Sequence, residues 1–306
     1  MRVRFSLPAQ MQKVLVILGP TASGKSNLAI RLAKLAHGKQ FKKIGIHGAE
    51  IISADSRQVY KGLNVGTGKI TKKEMKGVPH HLLDVASPKT QFSVDLFISK
   101  AKEAIKLIEA RDALPIVVGG TGFYIDALAG KISLPDVAPN KSLRRKLNKF
   151  SKEKLFKMLQ KKDPRRAKNI DPNNKVRLVR ALEIIDSLGK VPKLQHSVLQ
   201  QKFIYVGLKP ENLNKRIEKR VKKMFKDGLL NEIKKLKLSD KRLKELGFEY
   251  WHPTEESVIR GTKRYAKRQM TWFKRNKEIK WFILSAVEGL SQREFRKIEK
   301  YVKEKI

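Results

Sequence analysis

The sequence contains no cysteine. That excludes disulfides and any zinc site built on thiolates, and it fits a reducing compartment, the cytoplasm. No run approaches the ~18 apolar residues of a membrane-spanning helix, so no membrane partner is expected. Residues 1–12 carry Arg2 and Arg4 but no apolar stretch of signal-peptide length. They read as a loose tail, with Met11 an alternative start. Acidic side chains are scarce: 29 Asp plus Glu against 69 Lys plus Arg, a net charge of +40.

Hydrophobic residues still make up 41% of the 306, enough for a core, so the chain is globular and not a disordered polycation. The length suggests about two domains. A Lys-rich proteome accounts for part of the charge, and a polyanion partner such as nucleic acid accounts for the rest. Distribution favours a partner: Lys141 to Arg180 holds 16 basic residues and three acids, Glu153, Asp163 and Asp171. Monomer is the default expectation.

Lys13 to Leu18 is a short apolar run that reads as a buried strand. It ends in Gly19-Pro20-Thr21-Ala22-Ser23-Gly24-Lys25-Ser26, which fits G-x-x-x-x-G-K-[ST]. Lys25 to Ala36 follows with Leu28, Ala29, Leu32 and Leu35 at helical spacing. Strand, glycine-rich turn and helix are the context in which such a loop cradles phosphate with its backbone N–H groups. Lys25 supplies a point charge, and Ser26 is placed to hold Mg²⁺.

Ile44 to Ser53 reads as a second strand, Phe92 to Arg111 as an amphipathic helix, and Leu114 to Val118 as a third strand. Asp55 lies just past the second strand and fits three roles: metal ligand, general base or turn aspartate. Thr121 closes the Gly119-Gly120-Thr121 turn after the third. The alternation predicts a doubly wound parallel sheet, whose strand ends face the ligand crevice. Ser133 to Asn140 marks a boundary, and helices run from Lys141 to about Gln201. Phe203 to Leu208 resumes strand character, Asn212 to Leu238 reads as one long basic helix, Lys263 to Asn276 as another, and Lys280 to Ser285 as a last strand. Tyr265, Trp272 and Phe273 read as core. His80 and His81 have no third ligand in the pattern, which favours a structural role.

The motifs GPTASGKS, SADSRQVYKGLNVGTGK, VPHHLLDV, FSVDLF, PIVVGGTGFYIDAL, DPRRAKNIDPNNKVRLVRALEI and RYAKRQMTWF occur in the order of the tRNA dimethylallyltransferase family. The sequence resembles that family from roughly Val14 to Phe282. The resemblance implies transfer of a dimethylallyl group from dimethylallyl pyrophosphate to N6 of the adenosine just 3′ of the anticodon. The loop Gly19–Ser26 would then seat pyrophosphate, with Mg²⁺ on Ser26. Asp55 would take the amine's proton, and Thr121 would stand near the acceptor adenine. Ser56, Arg57 and Gln58 match positions contacting the target base and its neighbours. Arg177 and Arg180, within Val176-Arg177-Leu178-Val179-Arg180, match tRNA contacts of an inserted helical domain. Arg264, Lys267, Arg268 and Gln269 match a second tRNA-facing segment.

The implied fold is α/β: a core like that of the phosphate-loop NTPases with a mainly parallel sheet and C-terminal helices, over residues 13–132 and 202–306. An all-helical, tRNA-binding insert spans 133–201. Three departures stand out. Glu249 occupies a place where the family has Lys, Arg or Gln after Gly-Tyr, leaving Arg242 or Lys244 as substitutes. The link from Gly38 to Ala49 is longer than usual. A Cys/His zinc finger follows the core in eukaryotic relatives and is missing here, which favours a bacterial type. The rival readings are an adenylate isopentenyltransferase, a small-molecule kinase and a nucleic-acid-binding NTPase. The first leaves the basic insert unexplained, the second explains neither that insert nor the RYAKRQ segment, and for the third the chain is short and shows no second set of motor motifs.

Overall fold

The computed structural model describes residues 13–192, 201–285 and 290–306. The expected tail at 1–12 lies outside them. The chain divides into two compact units, Met1–Gly130 with Val198–Ile306, and Lys131–Ser197.

The first unit is built on six parallel strands in the order β3-β2-β4-β1-β5-β6. They are β1 (Lys13–Leu18), β2 (Gly48–Ser53), β3 (His80–His81), β4 (Ala113–Gly119), β5 (Lys202–Pro210) and β6 (Lys280–Leu284). The central strands are near-continuous apolar runs because both faces of a parallel sheet are covered. Alternation splits β1 between two cores. Leu15 and Ile17 pack with Leu28, Leu32 and Ile298, while Val14, Val16 and Leu18 pack with Phe97, Ile105 and Tyr124. Ile105 is fully buried, so truncating it to alanine should cost about 2–5 kcal/mol.

The helices up to β5 are α1 (Lys25–Leu35), α2 (Lys39–Lys42), α3 (Lys72–Met75), α4 (Val94–Glu109), α5 (Gly122–Leu128), α6 (Lys141–Leu147), α7 (Lys152–Lys162), α8 (Pro164–Ala167) and α9 (Lys175–Leu188). The last four form the second unit, closed over Leu155, Leu159, Leu178 and Ile185. Each begins at a residue whose side chain accepts a first-turn N–H: Asn140, Ser151, Asp163 and Asn174.

Among the described residues the first unit has five more helices: α10 (Leu213–Lys226), α11 (Leu229–Leu236), α12 (Asp240–Leu246), α13 (Glu255–Phe273) and α14 (Gln292–Lys305). The single helix expected over Asn212 to Leu238 is two, broken where Gly228 takes φ +92°. Trp272 and Phe273 are packed as expected. Phe273 is buried, and the Trp272 indole N–H donates to Asp126 Oδ2 (2.7 Å).

Strand register is what builds the site. Leu18 of β1 is level with Gly119 of β4 and Gly207 of β5, and Ser53 of β2 is level with Val118. The carboxyl ends of β1, β2 and β4 therefore deliver the phosphate loop, Asp55 and the Gly-Gly-Thr turn to one edge. β1 lies where the strand order reverses, the usual place for a ligand crevice.

Candidate active site

Gly19 leaves β1 with φ +147°. A Cβ there would meet Leu208 O at 2.6 Å, so conformation and close packing both require glycine. Gly24 caps α1 in the left-handed region and offers no side chain to the helix N–H groups; no acid stands in the first turn. Those donors and the positive end of the helix dipole face the cavity, an arrangement suited to an anion. Lys25 Nζ folds back over the loop, donating to Gly19 O (3.0 Å), Pro20 O (2.6 Å) and Ser23 Oγ (3.4 Å). Burial lowers its pKa to about 7, and the neighbouring Arg220 charge adds to the effect.

Asp55 is fixed by a turn of its own making. Its Oδ1 accepts from the backbone N–H groups of Arg57 (2.8 Å) and Gln58 (3.3 Å). Ser56 N donates to Thr121 Oγ1 (3.1 Å), which ties the two strand-end turns together. Thr121 Oγ1 in turn donates to Ser56 Oγ (3.4 Å). Gln58 Oε1 accepts from Ser53 Oγ (3.3 Å) and Nε2 reaches Thr67 O and Gly68 O (3.4 Å each).

The phosphate loop from Thr21 to Ser26, Asp55 to Gln58, Arg220, Glu249, Tyr265, Arg268 and Gln269 all line one cavity of about 640 Å³. Its size falls in the range of small-molecule sites. Arg242 and Lys244 do not line it. Arg242 is engaged with Pro88 O, Thr90 O and Glu245, and Lys244 lies over the Trp251 ring.

Arg220 is a further cation of the cavity, and one that the sequence reading missed. Its Nη2 donates to Thr67 O (2.9 Å). The signal was present: Arg220 falls among Ile217, Val221 and Met224, the buried stripe of α10, where a charge needs a reason. Glu232 was missed too. Its carboxylate accepts from the N–H groups of Asn64 (2.8 Å), Val65 (2.7 Å) and Gly66 (3.1 Å) and from the Tyr250 hydroxyl (3.0 Å). It thereby holds the loop that Arg220 and Gln58 lean on.

Of the second tRNA-facing segment, Arg264, Lys267 and Arg268 are exposed on α13, whereas Gln269 is buried. In the second unit Arg177 and Val176 are exposed, and Leu178 and Val179 are core. Arg180 is half-buried and already engaged, donating to Glu183 Oε2 (2.5 Å) and Val137 O (2.9 Å). Arg144 grips the same carboxylate through Nε and Nη2 (2.7 Å each), and Asn140 N donates to it as well. These donors hold the Glu183 carboxyl at about 2 despite its burial. His81 Nε2 bonds Glu50 Oε2 (2.6 Å), a structural pair. Among the described residues no group of three or more His, Cys, Asp or Glu is placed to hold a metal.

The model of the IPP transferase family matches residues 58–276. The chain belongs to that family. A tRNA dimethylallyltransferase of Anoxybacillus flavithermus is 36% identical, over 96% of this chain and 97% of its own. The crystal structure of the full-length tRNA isopentenylpyrophosphate transferase of Bacillus halodurans superposes with a TM-score of 0.67 at 35% identity, covering 96% of each chain. A eukaryotic dimethylallyltransferase described as acting on tRNA superposes with a TM-score of 0.77 at 27% identity, over 96% of this chain and 80% of that one. The resemblance seen in the sequence thus holds at the level of family and fold, and the IPP transferases share the α/β core described above. No described helix is long and apolar enough to cross a membrane.

Proposed function

We propose that the protein transfers a dimethylallyl group from dimethylallyl pyrophosphate to N6 of the adenosine immediately 3′ of the anticodon in tRNA. One observation carries this reading: an anion seat and a fixed carboxylate share one cavity. The α1 N-terminus, Lys25 and Arg220 line it together with Asp55, Ser56, Arg57 and Gln58. The cations and loop N–H groups suit the departing pyrophosphate, and the carboxylate suits the attacking amine.

The bond from N6 to the allylic carbon forms as the carbon–oxygen bond to pyrophosphate breaks, and the electron pair leaves with the pyrophosphate. Lys25, Arg220 and the loop N–H groups stabilise the charge that develops there. The adenine amine becomes acidic as it attacks, and Asp55 takes its proton, an effect of about 10²–10⁴-fold. The base must leave its stack to reach the cavity, and Thr121 holds Ser56 where the base would enter.

Ser26 is exposed in the cavity beside the phosphate seat. One hydroxyl plus the pyrophosphate's own oxygens is a donor set that suits Mg²⁺ arriving with its substrate. Bound there, Mg²⁺ supplies additional charge neutralisation to the departing group.

The exposed Arg177, Arg264, Lys267 and Arg268 serve tRNA phosphates. The residues 133–201 form the insert that carries the first of these. The protein works as a cytoplasmic monomer.

The test is incubation with labelled dimethylallyl pyrophosphate and unmodified tRNA, in parallel with free AMP. Label in tRNA is expected. Label in AMP alone, or phosphorylation that depends on ATP, would overturn the reading.

A further inference from the structure

Gln269 stands among exposed basic residues, yet it is 6% exposed and both ends of its amide are used. Its Oε1 accepts from Thr21 N (2.9 Å) in the phosphate loop. Its Nε2 donates to Gly120 O (2.9 Å) in the turn after β4. A backbone N–H at one end and a backbone carbonyl at the other require an acceptor and a donor on one side chain, which fixes which end of the amide is which. Gly120 shows the same fit in negative. A Cβ there would fall on the Gln269 amide, and the nearest other atom would be Gly19 O at 3.7 Å. Glycine at this position makes room for Gln269.

The contact continues toward the acceptor side. Gly120 precedes Thr121, whose Oγ1 receives Ser56 N, next to Asp55. Tyr265, one turn before Gln269 on the same face of α13, lines the same cavity. Helix α13 therefore grips the phosphate loop and the Gly-Gly-Thr turn together. The contact also takes the Thr21 N–H out of the set that reaches phosphate.

We propose that Gln269 is a positioning residue that locks the donor's phosphate loop to the turn carrying Thr121, so that donor and acceptor groups are held in one alignment. As a statement about turnover this rests on the transfer reaction proposed above; the lock itself does not.

The experiment uses the full chain with Gln269→Leu, Gly120→Ala and the double variant. Gly120→Ala reaches the same amide from the other side, so it remains informative if Gln269→Leu folds poorly. Each single variant should lower kcat about tenfold, the equivalent of two neutral hydrogen bonds, with KM for tRNA and its salt dependence unchanged. The double variant should be no worse than the poorer single, because both remove one contact. Affinity for inorganic pyrophosphate, read by calorimetry, should fall in the same three variants. Losses that multiply in the double variant would overturn the proposal. So would unchanged kcat and pyrophosphate affinity, or a raised KM for tRNA at unchanged kcat, which would make Gln269 a direct contact. If the unaltered protein binds pyrophosphate but labels no tRNA, the transfer reading fails, and the pyrophosphate measurements still decide the lock.

Discussion

Lys25 offers the sharpest test of how the cavity recognises its anion. Burial and Arg220 lower its pKa to about 7 in the ligand-free protein. A pyrophosphate placed against it reverses that balance. One negative charge at about 4 Å and an effective dielectric of about 20 is worth about 4 kcal/mol, or about three pKa steps at 1.36 kcal/mol each. That returns the ammonium to the ordinary lysine range near 10. Binding must then draw in a proton wherever the free lysine lacks one: about 0.1 proton at pH 6, half at pH 7 and about 0.9 at pH 8. Affinity through this group should fall about tenfold per pH step above 7. The assay is calorimetric titration with dimethylallyl pyrophosphate in buffers of different ionisation enthalpy, where the slope of heat against buffer enthalpy counts protons. Lys25→Arg is the reference, since a guanidinium stays charged and ionisation of the ligand cancels. Equal proton uptake by the two proteins at pH 8 would refute the reasoning.

Asp55→Ala should lower turnover by at least ~10²-fold while tRNA binding, read by filter retention, stays nearly intact; full activity would remove Asp55 as the base. Arg177→Gln should flatten the salt dependence of tRNA binding by roughly 0.7–0.9 in slope for one lost phosphate contact, and an unchanged slope would mark a solvated face. Arg180→Gln should instead lower the melting temperature, because it strips a donor from the buried Glu183. The Glu183 carboxyl, ordinarily at 4.5, sits at about 2 in the fold. Its stabilisation is therefore complete above about pH 4.5 and is lost as pH falls through 2. The full effect is about 3 kcal/mol, and acid unfolding followed by circular dichroism should lose that steepness in Glu183→Gln.

What could be read in the sequence was what is encoded locally. Every strand but β3 announced itself as an apolar run, whereas β3 is the His80–His81 pair and was not read as a strand; the phosphate loop and Asp55 fell at strand ends where the parallel sheet makes its crevice. Boundaries moved where turns intervene: β2 starts at Gly48, later than Ile44, and Gly228 divides the helix expected beyond Asn212. Helix α14, one of the C-terminal helices expected, was given no bounds although Ser291 and Glu294 form a capping box visible in the sequence. Arg220 and Glu232 were out of reach for a different reason. Their partners lie 153 and up to 168 residues away, and no local pattern encodes that pairing. Gln269 shows the converse. Its neighbours in sequence are exposed cations, but helical geometry turns it inward, with the buried Ala266 and Phe273, so a motif assigned as a block divides into surface and interior.

Glu249 bears on the same distinction, because an acid near a pyrophosphate seat looks like a fault. Burial pushes its carboxyl up to about 7, with the Asp55 charge adding to the shift and Arg57 and Arg220 opposing it. It therefore titrates in the same range as Lys25. Below neutrality the lysine is charged and the carboxyl is not, and the cavity is at its most positive. Above neutrality both change: the lysine loses its positive charge, the carboxyl gains a negative one, and the net charge of the cavity falls by two over a narrow span. An incoming pyrophosphate favours the protonated form of each group, so it selects the first state as it binds. In that state Glu249 is a neutral hydrogen-bond donor and opposes nothing. Of the basic residues near that place, Arg220 on α10 lines the cavity, and Arg242 and Lys244 do not. The acid thus leaves pyrophosphate recognition intact near neutral pH while making it steeper on the alkaline side.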